Sequence, residues 1–229
     1  MSAERATLRR WHAQALLNGL HPAHFGAVPG TLLASARHSP TGRRMLARVA
    51  LRRASALFAP DQERWQSWQD SESWLSWPSS RLQSFTRLLG AIALGPALRM
   101  AVERQAVLFF REALGQEHWR QAQLAAPWQG PAPDAVRQMG AAVLRRCGRD
   151  AAMLEAAVHE RGQIEFLSHT ERRDSDLAAR LALSYAQLPA TPCSKESWLP
   201  AGTVADLLIA EAALDAAMVP LAAAEELPP

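Results

Sequence analysis

Two cysteines in 229 residues, Cys147 and Cys193, are too few for a disulfide framework. They suit a reducing compartment in which both are plain thiols. No run of about 18 unbroken apolar residues occurs anywhere. The most apolar stretch, RLLGAIALGPALRM (87–100), is flanked by Arg87 and Arg99 and cut by Gly95-Pro96, so it does not read as a membrane span. Behind the charges of the opening MSAERATLRRW there is no apolar h-region, and the expected location is the cytoplasm. A Gly-rich phosphate loop, a Gly-x-Ser-x-Gly elbow and a His-Glu-x-x-His pair are all missing. No catalytic residue, cofactor or resident metal is therefore expected. Lysine is scarce as well: of 25 basic residues only Lys195 is a lysine, a bias that carries no mechanism by itself.

What is present is apolar material and an uneven charge. Hydrophobic residues make up 48% of the chain, and a chain of this length buries roughly 70% of the surface its unfolded form exposes. Residues 1–60 hold nine arginines against the single acid Glu4, a balance of +8, while the remainder carries −5, giving the net +3. After Lys195 come only acids: Glu196, Asp206, Glu211, Asp215, Glu225 and Glu226. Such polarity suits a charged partner surface or pairing within the chain. We expect one mostly α domain of packed antiparallel helices over 1–229, with a basic N-terminal part (1–60), a main helical core (80–220) and a short acidic tail (221–229).

Helix signals recur along the whole chain. A first helix runs from Ser2 to Asn18-Gly19, followed by the Pro- and Gly-rich loop LHPAHFGAVPG (20–30). Ser39-Pro40 opens a helix with Met45, Leu46, Val49 and Leu57 on or beside one face, and Arg44, Arg48 and Arg52 one turn apart on another. Ser80 with Gln83 forms a capping-box pattern, and Leu82, Phe85, Leu88, Leu89 and Ile92 then recur at helical spacing. Gly95 and Pro96 suit, respectively, the end of that helix and the first turn of the next, so a corner is expected there. Further helices are expected to Leu114-Gly115, from Asp134 to Cys147-Gly148, from Asp150 to about Arg161-Gly162, and from Thr203 to Pro220. IEFLSH (164–169) and LALSYAQL (181–188) contain alternation that also fits a small hairpin, although Asp174 and Asp176 favour a helical start for the second.

Three groups of residues offer recognition chemistry. Trp65, Trp68, Trp74 and Trp77 fall in thirteen positions at spacings that put each pair on one helical face. The Ser, Gln, Asp and Glu between them suggest that some rings stay exposed as an interaction surface, with burial in the domain's own core as the competing reading. Arg44, Arg48 and Arg52 can meet carboxylates in forked pairs, or phosphates in a nucleic acid, unless they serve the chain's own acids. Glu155, His159, Glu165 and His169 repeat an i,i+4 spacing drawable as a metal site, and His21, His24 and the cysteines could be added, but ordinary surface pairs explain the spacing better.

Several segments, taken in order, carry a resemblance: RLLGAIALGPALRMAV (87–102), LFFREALGQEHWRQA (108–122), APWQGPAP (126–133) and LPATPCSKESWLP (188–200), with NGLHPAHF (18–25) near the start. Over roughly 15–200 the chain resembles the K component of bacterial type III secretion systems, the YscK-like (SctK) family. The resemblance implies a non-enzymatic helical adaptor of the cytoplasmic sorting platform. Its expected partners are the cytoplasmic domain of the inner-membrane ring protein (the D component) and the pod protein (the Q component). The tryptophan segment, the arginine helix and the acidic tail lie outside the matched pattern. A helical nucleic-acid-binding module is the alternative function.

Overall fold

The computed structural model describes residues 20–25, 28–53, 67–68, 72–186 and 197–213, the side chains of 50–53 and 76 excepted. The first helix expected before Gly19 lies outside them. The elements are α1 (Gly30–His38), α2 (Pro40–Arg53), α3 (Ser79–Arg99), α4 (Arg104–Leu114), α5 (Gln116–Leu124), α6 (Asp134–Cys147), α7 (Ala151–Arg173), α8 (Ser175–Ala182) and α9 (203–213). Short 3-10 turns span Pro22–Phe25 and Ser73–Ser76. The fold is mostly α, and there is no strand among the described residues. IEFLSH is the middle of α7, so the hairpin reading is corrected. No helix among the described residues is long and apolar enough to cross a membrane.

Local chemistry sets many of the helix ends. Gly115 (φ 79°) closes α4 and Gly148 (φ 57°) closes α6, in backbone conformations that favour glycine. Asp150 caps α7 by accepting from the N–H groups of Ala152 (2.9 Å) and Met153 (3.1 Å), and Asp174 caps α8 by accepting from Asp176 N–H at 2.8 Å. Ser39 Oγ accepts from Gly42 N–H at 2.9 Å at the start of α2, with Pro40 in the first helical position. The expected Ser80 capping box is not used: α3 starts at Ser79 after Pro78, without a side-chain cap.

Gly95-Pro96 is not a corner. Both lie inside α3, which continues to Arg99, and the turn to α4 is made by residues 100–103. Gly95 has no positive φ; a Cβ there would sit 2.6 Å from the Ala122 carbonyl oxygen, so glycine is needed for the close approach of α5. Pro96 removes a single i→i−4 bond near the helix end, which the buried packing of Leu94, Ala97 and Leu98 outweighs. Likewise α7 does not stop near Gly162 but runs to Arg173.

The core is built on α3 and α7. Residues Leu89–Leu98 and Arg161–Thr170 are buried without interruption, so both helices are covered all round at mid-length. They cross at Gly90 and Gly162: a Cβ on Gly90 would fall on the Val158 carbonyl, and one on Gly162 on the Thr86 carbonyl. Helices α5 and α6 pack on α3, and α8 on α7. A smaller cluster of Leu20, Phe25, Leu33 and Leu46 holds α1 and α2 together and reaches Leu183. Its attachment is completed by His21 N–H to Leu183 O (2.9 Å) and His24 Nε2–H to Tyr185 O (2.8 Å).

Candidate functional site

The tryptophans prove to be core. Trp68, Trp74 and Trp77 are buried, and the expectation that they form a partner-binding surface is corrected for all three; Trp65 lies outside the described residues. Edge-to-face contacts run from Trp77 to Phe85 (5.4 Å), Phe85 to Phe166 (5.3 Å) and Phe166 to Trp74 (5.4 Å). The acids beside them bind the indoles. Trp74 Nε1–H donates to Glu72 Oε2 at 2.6 Å and Trp68 Nε1–H to Asp174 Oδ2 at 3.1 Å. Arg173 Nη1 lies 2.8 Å from Glu72 Oε1. Burial pushes the Glu72 carboxyl up, against the lowering effect of the Trp74 bond and Arg173.

The four candidate metal ligands point to different tasks. Glu155 pairs with Arg87 at the surface (3.1 Å), and His159 lies edge-on to Tyr185 (6.0 Å). Glu165 is fully buried and accepts from Ser197 Oγ–H (2.7 Å), Trp198 N–H (2.8 Å) and Leu199 N–H (3.2 Å), while Arg161 approaches at 2.9 Å. Among the described residues no three His, Cys, Asp or Glu side chains are grouped to hold a metal. His21 accepts from Ala23 N–H, and burial pushes the Cys147 thiol up. Cys193 lies outside the described residues.

His169 is 7% exposed, and its Nε2 has no hydrogen-bond partner among the described residues. Burial, helped by the charges of Arg173 and Arg172, pushes its pKa from 6.5 down to about 4. The ring is thus neutral in the fold and gains a proton on unfolding. Its stability contribution is full above 6.5 and is lost as pH falls towards 4. Between about pH 7 and pH 5 that loss is roughly 1–2 kcal/mol. His169→Gln should lose correspondingly less stability over this interval, measured by urea unfolding at both pH values. Glu72 acts in the opposite sense in both proteins, so a parallel decline of variant and wild type would show that His169 is not responsible.

The expected arginine stripe sits on α2. Arg44 and Arg48 are exposed on one side of α2, and Arg52 continues the stripe along the helix, its side chain lying outside the described residues. Among the described residues of the expected apolar face only Leu46 is buried; Met45, 63% exposed, and Val49 stand beside the arginines, and Leu32 is exposed on α1. Leu57 lies outside the described residues. Residues 5–60 contain no Asp or Glu, and no ion pair among the described residues involves Arg44 or Arg48. Exposure of the arginines followed from their spacing. Their apolar companions were missed because Met45 and Val49 share a helical period with Leu46, and only the position of α1 decides which of them is covered.

No protein-family model, no curated protein and no solved structure matches this chain.

Proposed function

We propose that this protein is a non-enzymatic cytoplasmic adaptor of a type III secretion sorting platform, linking the D component's cytoplasmic domain to the Q component. The sequence resemblance over roughly 15–200 supplies the partners. The observation that carries the reading is the α1–α2 face, where Met45 and Val49 stand exposed beside Arg44 and Arg48 on α2, with no acid within residues 5–60. Apolar groups interleaved with arginines favour a protein partner with matching carboxylates over a bare phosphate backbone. Such a face tunes encounter rate and orientation more than fold stability.

The double variant Arg44→Glu, Arg48→Glu tests this. Both side chains are exposed, so its melting temperature should match the wild type. In titrations with the purified D and Q domains it should lose the salt-sensitive part of binding to one of them, weakening that Kd about tenfold at low ionic strength. Unchanged binding to both partners would remove this face from the adaptor. A salt-dependent shift of a DNA duplex by the wild type, abolished in the variant, would favour the nucleic-acid reading.

A further inference from the structure

We propose that the cleft where α3 and α5 end is a second docking site, which takes a short acidic peptide segment of a partner protein by an apolar side chain. It shares no residue with the α1–α2 face and does not depend on the sorting-platform reading. The cleft has a volume of about 380 Å³, and its walls include Pro96, Met100, Leu124 and Trp128. That volume lies at the small end of ligand sites, with room for one large side chain and its flanking backbone. Met100 is 57% and Leu124 67% exposed, so two large apolar groups are left uncovered at a single concavity rather than scattered.

Charge selects the occupant. Among the described residues the charged ones on the lining are Arg99 and Arg137, and no Asp or Glu lines it. Arg99 Nη1–H donates to the carbonyls of Ala122 (2.6 Å) and Ala125 (3.3 Å), so the negative end of α5, which would repel a carboxylate, is already capped by a cation. Arg137 is half-buried and pairs with Asp134 one turn away, an exposed partner that an incoming carboxylate can replace. Apolar walls, two arginines and no acid among the described lining residues together match an acidic segment with one large apolar residue.

The test is to pan a phage-displayed library of random dodecapeptides on the full chain and to measure the enriched peptides, synthesised, against variants. Enriched sequences should place Asp or Glu next to Leu, Ile, Met or Phe. Leu124→Glu and Arg137→Glu should each weaken their binding about tenfold or more, while Arg44→Glu, Arg48→Glu leaves it unchanged. Both cleft substitutions are at surface-accessible positions, and equal melting temperatures confirm that the fold survives. No enrichment over an unrelated control protein, enrichment of neutral or basic peptides, or undiminished binding to both cleft variants would overturn the proposal. So would peptides that depend on Arg44 and Arg48, or a dimer of the full chain that Leu124→Glu dissolves, since a second copy would then be the occupant.

Discussion

Glu165→Gln is expected to destabilise the fold by about 3–5 kcal/mol, the cost of breaking a buried ion pair by removing one partner. Glu165 is wholly buried on α7, and both of its oxygens are engaged by residues more than thirty positions away. Oε1 receives Trp198 N–H and faces Arg161; Oε2 receives Ser197 Oγ–H and Leu199 N–H. A glutamine amide offers one oxygen and one NH2 group, and in either orientation the NH2 confronts donors. Arg161, buried and stacked at 4.4 Å over the Trp198 ring, would keep its charge and lose the Glu165 carboxylate. The local consequence should be release of the 197–199 segment, through which α9 is tethered; the Arg81–Glu211 pair at 3.2 Å is a further polar tether. Urea unfolding gives the loss, and limited proteolysis should find cleavage near 197 that the wild type resists. The control is Glu155→Gln, which breaks only the surface pair with Arg87 and should cost at most about 1 kcal/mol. If the two variants are equally stable, the buried carboxylate is not what holds this segment.

How much of this was legible in the sequence depended on whether the deciding contact was local. The caps at Asp150 and Asp174 and the stops at Gly115 and Gly148 were readable, because each involves residues within one turn. Gly95 and Gly162 carry the same local signature as a stop but serve close helix approach, and their partners, Ala122 and Thr86, are distant in sequence. Helix α1 went unread because Pro29-Gly30 looked like the end of a loop, whereas Gly30 begins the helix that brings Leu33 onto Leu46. The tryptophan segment misled for a related reason. Acids between aromatic residues suggest exposure, yet Glu72 is buried and bonded to Trp74, so the polar residue satisfies the indole within the core. At the candidate site the arginine stripe was visible as a period of four. The cleft was not, since it needs Pro96 and Trp128 on the same wall.

Gly90→Val should be the most damaging single substitution at a glycine, with Gly162→Val close to it. Overpacking a core usually costs about 1–3 kcal/mol, because side chains move aside at the expense of rotamer strain. Here the obstruction is backbone: the Val158 carbonyl for Gly90 and the Thr86 carbonyl for Gly162, with the amide nitrogen of the opposite glycine 3.0 Å from each added Cβ. Neither can rotate away. Helices α3 and α7 would have to separate along the stretch where both are buried all round, opening gaps beside Leu89, Ile92 and Phe166. The expected loss is therefore more than about 3 kcal/mol, a large fraction of the roughly 5–15 kcal/mol stability of an ordinary domain. Even Gly90→Ala should be clearly destabilised, although alanine is the better helix former by about 1 kcal/mol. Gly30→Ala separates approach from propensity: nothing lies within 4 Å of its added Cβ and its φ is not positive, so it should be neutral or slightly stabilised. Thermal unfolding followed by circular dichroism ranks the four variants. A Gly90→Ala protein that melts with Gly30→Ala would mean that the two helices are held apart by something other than this crossing, and the account of the core given by Gly90 and Gly162 would fail.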